Sequence, residues 1–257
     1  MVAWLVSQIG HHAVQACNLI GDFALFLIRA LLTLFTTKLK VSKLLNQMER
    51  IGVNSLLIVV LTGTFTGMVL ALQSHIGFSR FGAEEFIGTV VALSMTRELG
   101  PVLTGLMVTG RAGSSIAAEL GTMRITEQID ALKTLRIDTF QYLVVPRLLA
   151  SIIVLPFLSL LSTLCGIIGG YVISVNVLGL NGDDYTSGIS EYLELSDITG
   201  GLVKAAVFGL ILAWVGAYKG YRTTGGARGV GLSTTKSVVL ASIFILISNY
   251  FLATALF

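Results

Sequence analysis

From residue 11 the polar positions of the N-terminal segment recur every three or four places: His11, Gln15, Asn18, Asp22, Arg29, Thr33, Thr36, Lys40, Lys43, Gln47 and Arg50, with one turn skipped at Leu25. That period draws a polar stripe along a helix whose remaining surface, through Trp4, Leu19, Phe23, Phe26, Leu27 and Leu34, is apolar. No charge-free run here reaches the roughly 20 residues that a membrane span needs. Residues 1–50 therefore read as an interfacial amphipathic helix, with cations late in the segment where an anionic cytoplasmic leaflet attracts them. The competing reading is a sixth, poorly hydrophobic span from Phe23 to Phe35.

Beyond residue 50 the pattern changes to long uncharged runs, from Ile51 to Ser74, Leu148 to Gly182 and Ser237 to the C-terminus. Phe86 to Thr109 forms a further span, and Ala205 to Tyr218 extends backwards through Gly200, Gly201 and Leu202 past Lys204, which is expected to snorkel. The chain is thus read as an all-α integral membrane protein: an N-terminal interfacial amphipathic helix over 1–50, then a domain of five transmembrane helices over 51–257, with a short cytoplasmic helix in one connection.

Charge sets the orientation. The connection after the second span carries Arg111, Arg124, Lys133, Arg136 and Arg147, and the one after the fourth carries Lys219, Arg222, Arg228 and Lys236 without an acid. Short basic connections stay in the cytoplasm. Asp183, Asp184, Glu191, Glu194 and Asp197 follow the third span without a base, and Arg80 meets Glu84 and Glu85 in the first outer turn. The N-terminus is expected inside and the C-terminus outside, in a bacterial cytoplasmic membrane.

Composition agrees: 54% of residues are hydrophobic and 12% charged, and the mean hydropathy is +0.85. Cys17 and Cys165 sit in apolar segments and offer neither a disulfide framework nor metal-ligand spacing. The start of the chain has no basic stretch before a short apolar run and no Arg- and Ser-rich composition, so neither a signal peptide nor a transit peptide is expected. Nothing supports nucleic-acid binding. Gly63 with Gly67, Gly166 with Gly170, and Gly216 with Gly220 each lie four apart on one helical face, a spacing that suits close packing within the chain and a subunit contact equally.

The segment VVALSMTRELGPVLTG, Val90 to Gly105, sets Arg97 and Glu98 in the middle of a span, just before Gly100 and Pro101. A charge at the bilayer centre costs about 2.5–3.5 kcal/mol on insertion scales, so both side chains are expected to face protein or a wet cavity. Pro101 cannot donate to the carbonyl of Arg97, which loosens the helix and frees an acceptor. A guanidinium suits a phosphate because its planar donors match two oxygens at once. The bland alternative is that these charges neutralise each other or partners on neighbouring spans.

In Gly110 to Arg147 a Gly-, Ala- and Ser-rich stretch around Glu119 leads to Thr126, read as the N-cap of a short helix with Glu127 and Asp130 near its positive end. Ile129, Leu132 and Leu135 share one face, so this helix either lies on the membrane surface or fills a partner's groove. Tyr218 to Ser237, YKGYRTTGGARGVGLSTTKS, lacks the spacing of a phosphate-binding loop and reads as a cytoplasmic turn. The chain therefore has no ATPase of its own. His11, His12 and His75 form no catalytic constellation, and no metal site or enzyme activity is expected.

The strings LTGTFTGMVLALQ, VALSMTRELGPVLTGLMVTGRAGSSIAAELGTMRITEQIDAL, YLVVPR and GYRTTGGARGVG, from about residue 50 to the C-terminus, closely resemble the MlaE (YrbE) permease family, membrane subunits of ABC transporters that work with MCE-domain proteins. The resemblance implies a homodimeric permease bound to two cytoplasmic ABC ATPase subunits, which bind the ATP; a periplasmic MCE-domain protein caps it outside, and a small cytoplasmic accessory subunit accompanies some complexes. It implies glycerophospholipid cargo moving between the inner membrane and the MCE assembly, and so a part in outer membrane lipid asymmetry. By matching position it assigns Arg97 and Glu98 to the lipid head-group cavity, Leu70 and Phe81 to its apolar wall, and Glu127, Gln128, Asp130, Ala131 and Leu132 to the helix that couples to the ATPase. The chain departs from the family pattern at Arg136 and Thr139, where Gly and Pro are common, and at Arg228, where an acid is frequent. Two other readings stand beside it: an ATP-independent channel or secondary transporter using Arg97 and Glu98, and a structural scaffold without cargo.

Overall fold

The computed structural model describes residues 2–36 and 41–257, with the side chains of 2–13, 16, 35 and 36 outside that description. The side chains of Trp4, His11, His12 and Thr36, and the whole of Lys40, therefore lie outside the described part. Every regular element described is helical. α1 (Val2–Thr36) and α2 (Val41–Ile51) carry the polar stripe as two helices rather than one. There follow α3 (Leu56–Phe78), α4 (Ile87–Ser94), α5 (Gly100–Val108), α6 (Ser114–Ile125), α7 (Gln128–Thr134), α8 (Val145–Asn176), α9 (Gly182–Tyr192), α10 (Leu195–Tyr221) and α11 (Gly226–Leu256). Of three π-helical stretches, Met95–Leu99 and Thr109–Gly113 join helices end to end, and Phe140–Val144 leads into α8.

Among the described residues, six segments are long and apolar enough to cross a membrane: Cys17–Leu34, Val41–Phe81, Glu84–Ile125, Phe140–Asn176, Leu195–Tyr221 and Gly226–Leu256. The chain is an all-α, multi-pass membrane protein. The last five correspond to the spans read from the sequence, but each is longer than its uncharged core. The second runs 42 residues, because π-helical turns carry it through Arg97 and Arg111 without a break. The stretch Tyr218–Ser237 is mostly helical, with only 222–225 outside α10 and α11, so the expected turn is much tighter than its glycine content suggested.

The segment Cys17–Leu34 satisfies the length and composition of a crossing despite Asp22 and Arg29. Its contacts gather at the basic end of the bundle, where the α6–α8 connection and the α10–α11 turn lie. Phe23 stacks on Trp214 with centroids 3.9 Å apart, Phe26 meets Phe140, Tyr218 and Tyr221, and Asp22 pairs with Arg222 at 2.8 Å.

α3 and α8 make the most extensive contact, and small residues make it possible. A Cβ on Gly63 would stand 2.5 Å from the carbonyl oxygen of Ser162, and one on Gly67 would collide with the backbone of Gly166. Gly216 and Gly220 of α10 let α6 and the π-turn before it approach in the same way, through Gly113, Ile116 and Ala117. All three glycine pairs thus serve packing inside this chain, where lipid supplies no hydrophobic drive for helix association. The acidic connection after the third span contains α9. Asn181 accepts a hydrogen bond from the Asp183 amide to start it, and its Tyr185 is buried against Ala71, Ile87, Val91 and Met95.

Candidate functional site

The second membrane segment changes geometry where its charges begin. The π-helical turn Met95–Leu99 inserts an extra residue per turn, a distortion that recurs at functional sites, and Pro101 follows with no N–H for the carbonyl of Arg97. That carbonyl is not left bare. Lys204 of α10 donates to it at 3.0 Å, and donates also to Glu98 Oε1 at 2.6 Å. Lys204 is fully buried, so it does not snorkel as the sequence suggested; the proline-freed acceptor and a carboxylate together give its ammonium partners inside the bundle.

The other groups complete the arrangement. Asn249 of α11 donates to Glu98 Oε2 at 3.0 Å. Arg97 donates through Nε to Asp197 Oδ1 at 2.8 Å, and Asp197 Oδ2 accepts from the Glu194 amide in the capping box that opens α10. Thr163 of α8 donates to the Met95 carbonyl at 3.2 Å. The ring of Phe257 lies 5.1 Å from the Arg97 guanidinium and 5.0 Å from the Lys204 ammonium. Two acids and two bases thus neutralise one another across α10 and the bulge. Arg97 and Glu98 do not pair together, and each side chain remains 39% exposed. With Nε engaged, the two terminal nitrogens of Arg97 have no hydrogen-bond partner among the described residues.

Leu70 is half-buried in the cluster that also holds Leu99 and Met95, whereas Phe81, beyond the end of α3, is 84% exposed and stands outside that cluster. Gly100 and Pro101 are buried: Gly100 faces Thr163, and the Pro101 ring lies beside Gly201. A cavity of about 60 Å³ borders Thr96, Thr163 and Gly201. It has room for a few waters at most, so the open side of Arg97 and Glu98, rather than this cavity, is where a larger group has access.

At the basic end, Glu119 bridges Arg50 at 3.1 Å and the buried Arg147 at 2.9 Å, while Arg111 donates to the carbonyl of Arg50 and so closes the end of α2. α7 lies within the α6–α8 connection at this end. The matching family model, the permease MlaE, spans residues 44–255.

The chain belongs to the MlaE permease family. It is 49% identical over 257 residues to a probable ABC transporter permease protein of Rickettsia bellii, covering 100% of this chain and 99% of that one. It is 46% identical over 213 residues to a probable ABC transporter permease protein of Synechocystis, covering 83% and 81%. It is 35% identical over 258 residues to the intermembrane phospholipid transport system permease protein MlaE of Haemophilus influenzae, covering 100% and 99%. It is accordingly an ABC transporter permease of MlaE type.

The α7 segment of this MlaE permease departs from expectation in detail. Thr126 does not cap it; the Thr126 hydroxyl donates back to the Thr122 carbonyl and ends α6, while Glu127 takes the cap position in the left-handed region at φ 59°. Ile129 is fully buried and Leu132 half-buried against the core, but Leu135, expected on the same face, is 70% exposed. Glu127, Gln128 and Ala131 are exposed. Asp130 bonds Lys133 at 2.9 Å and Arg124 at 2.8 Å, and these cations hold its carboxyl below the usual aspartate range. α7 ends in a Schellman turn, with the Arg136 amide donating to Lys133 and the Ile137 amide to Leu132. Arg136 has φ 56° there, the conformation in which glycine is at ease, which gives a backbone reason for the Gly that the resemblance led one to expect at this point.

Sequence reasoning missed Asp197, Asn249 and Phe257 and misassigned Lys204. The signal for Lys204 was present, since an ionisable residue within an apolar run asks for a partner as Arg97 does. Glu194 and Asp197, three apart ahead of an apolar run, were also legible as a helix start.

Proposed function

We propose that this MlaE-type permease moves glycerophospholipids between the bacterial inner membrane and a periplasmic MCE-domain assembly, driven by two ABC ATPase subunits at its basic end. The N-terminus then lies in the cytoplasm and the C-terminus in the periplasm, since the basic connections mark the cytoplasmic side. The observation that carries the head-group reading is Arg97. Its guanidinium is oriented by Asp197 through one nitrogen while its terminal nitrogens stay unengaged on a half-exposed surface, which suits a phosphate that accepts two parallel hydrogen bonds. The name of the Haemophilus influenzae relative, an intermembrane phospholipid transport system permease, supports the same cargo.

The cavity beside Thr96 is too small for a lipid, so the hollow needs a second wall. A homodimer that turns two such surfaces toward each other supplies it. α7 presents Glu127, Gln128 and Ala131 outward, and this face docks the ATPase, while Ile129 roots the helix in the core.

Replacing Arg97 alone would strand the carboxylate of Asp197, which is 2% exposed, and confuse loss of binding with loss of fold. The double variant Arg97→Gln/Asp197→Asn keeps a hydrogen-bonded pair without charge. Its complex with the ATPase is expected to assemble normally and to lose at least tenfold in ATP-dependent transfer of labelled phospholipid from proteoliposomes. Transfer at the unmodified rate refutes the head-group role.

A further inference from the structure

A cavity of about 590 Å³ opens at the basic end, between α1, the end of α7 and the end of α10. Its volume lies in the range of small-molecule sites, and it is well separated along the chain from the Arg97 network. Arg29, Lys133, Arg136 and Arg222 contribute four cations to its wall against two acids, Asp22 and Asp138. Both acids are already engaged: Asp22 pairs with Arg222 at 2.8 Å, and Asp138 accepts from the Phe140 amide at 2.8 Å. Lys133 is held by Asp130. Two guanidiniums remain. Arg29 sets its guanidinium carbon 4.5 Å from the centre of the Phe140 ring, and neither Arg29 nor Arg136 has a carboxylate partner among the described residues. The hydroxyls of Thr139 and Tyr221, 2.8 Å apart, add polar groups to the lining.

The mouth of this cavity is continuous with an apolar surface. Leu25 lines it and is 62% exposed, and Ile28 and Leu32 continue the exposed face of α1 at 50% and 61%. We propose that the cavity binds the phosphate head group of an anionic phospholipid from the leaflet at the basic end, with the acyl chains lying along Leu25, Ile28 and Leu32. Basic pockets between helices at the cytoplasmic face take anionic head groups for this reason: the guanidiniums meet the phosphodiester where the local dielectric is low, and hydrocarbon stays against hydrocarbon. The lipid sits against Lys133 and Arg136, and so against α7. On that helix Lys133 lies beside Ile129, well round from Gln128 and Ala131, so a protein seated on the exposed face leaves the cavity open.

The site is distinct from the cargo surface and its test needs no transport. The full chain, in mild detergent, is titrated with phosphatidylglycerol or phosphatidylcholine and the bound lipid counted by native mass spectrometry. A preference of at least fivefold for phosphatidylglycerol is expected, falling to about equal binding in Arg29→Gln and in Arg136→Gly. The second variant relieves a left-handed residue, so a melting temperature at or above that of the unmodified chain is expected with it. Arg228→Gln, which removes one charge from the same end outside the cavity, is expected to keep the preference. Four results overturn the proposal: no preference in the unmodified chain, an unchanged preference in both cavity variants, an equal loss in Arg228→Gln, or displacement of the lipid by millimolar inorganic phosphate or by the ATPase chain.

Discussion

The buried lysine of the bulge gives an ordering of stabilities that a merely additive account would not. In Glu98→Gln the ammonium of Lys204 loses its carboxylate while remaining fully buried. Breaking a buried pair in this way costs about 3–5 kcal/mol. In Lys204→Met the charge left behind is Glu98, which keeps the Asn249 bond and is 39% exposed, so water takes over much of its solvation. The main further loss is one donor to the Arg97 carbonyl, about 1 kcal/mol, which makes about 1–2 kcal/mol in all for the lysine variant. For a domain of this size each kcal/mol moves the midpoint by about 2–4 °C. Melting of the purified chain, followed by intrinsic fluorescence, is therefore expected to fall by about 6–20 °C in Glu98→Gln and by about 2–8 °C in Lys204→Met. The double variant removes both charges and is expected to be more stable than Glu98→Gln alone, a coupling read directly from the cycle. If Lys204→Met is as damaging as Glu98→Gln, or if the two effects simply add, then Lys204 is not a buried charge held by Glu98 and the account of the bulge fails.

Two other outcomes follow from the packing. Gly67→Ala is expected to prevent accumulation of folded chain in the membrane, because its Cβ meets the backbone of Gly166, whereas Gly77→Ala, with open space around it, accumulates normally; equal yields on immunoblot of membrane fractions would contradict the α3–α8 contact. Ala131→Arg, on the exposed side of α7, is expected to abolish co-purification of the ATPase while leaving the melting temperature of the permease within about 2 °C, and retention of the ATPase would move the docking face elsewhere.

Most of the membrane architecture was legible because hydropathy reports solvent directly: a run of apolar residues has few alternatives to a helix in lipid, where each backbone polar group must be satisfied within the segment. The motifs LTGTFTGMVLALQ and VALSMTRELGPVLTG identified the family, and the charged pair beside Pro101 was singled out correctly as an irregular point of the span. Helix ends were less legible. The second segment runs through Arg97 and Arg111 to Ile125, because π-turns and partners for each guanidinium make charges tolerable where composition alone suggests a break, and Tyr218–Ser237 folds almost wholly into two helices with its turn confined to 222–225. The same limit hid α9, whose polar sequence shows little of its buried Tyr185.

The sequence by itself determined that this chain is helical, membrane-embedded, related to the MlaE permeases and marked by charge at residues 97 and 98, since these depend on local composition and on short ordered strings. Only the tertiary structure decided who answers those charges. Arg97 and Glu98 are adjacent in the chain but turn to different partners, Asp197 and Lys204, about a hundred residues away. That choice depends on which helix faces lie together, and those faces meet because glycines at separate points of the chain admit close backbones.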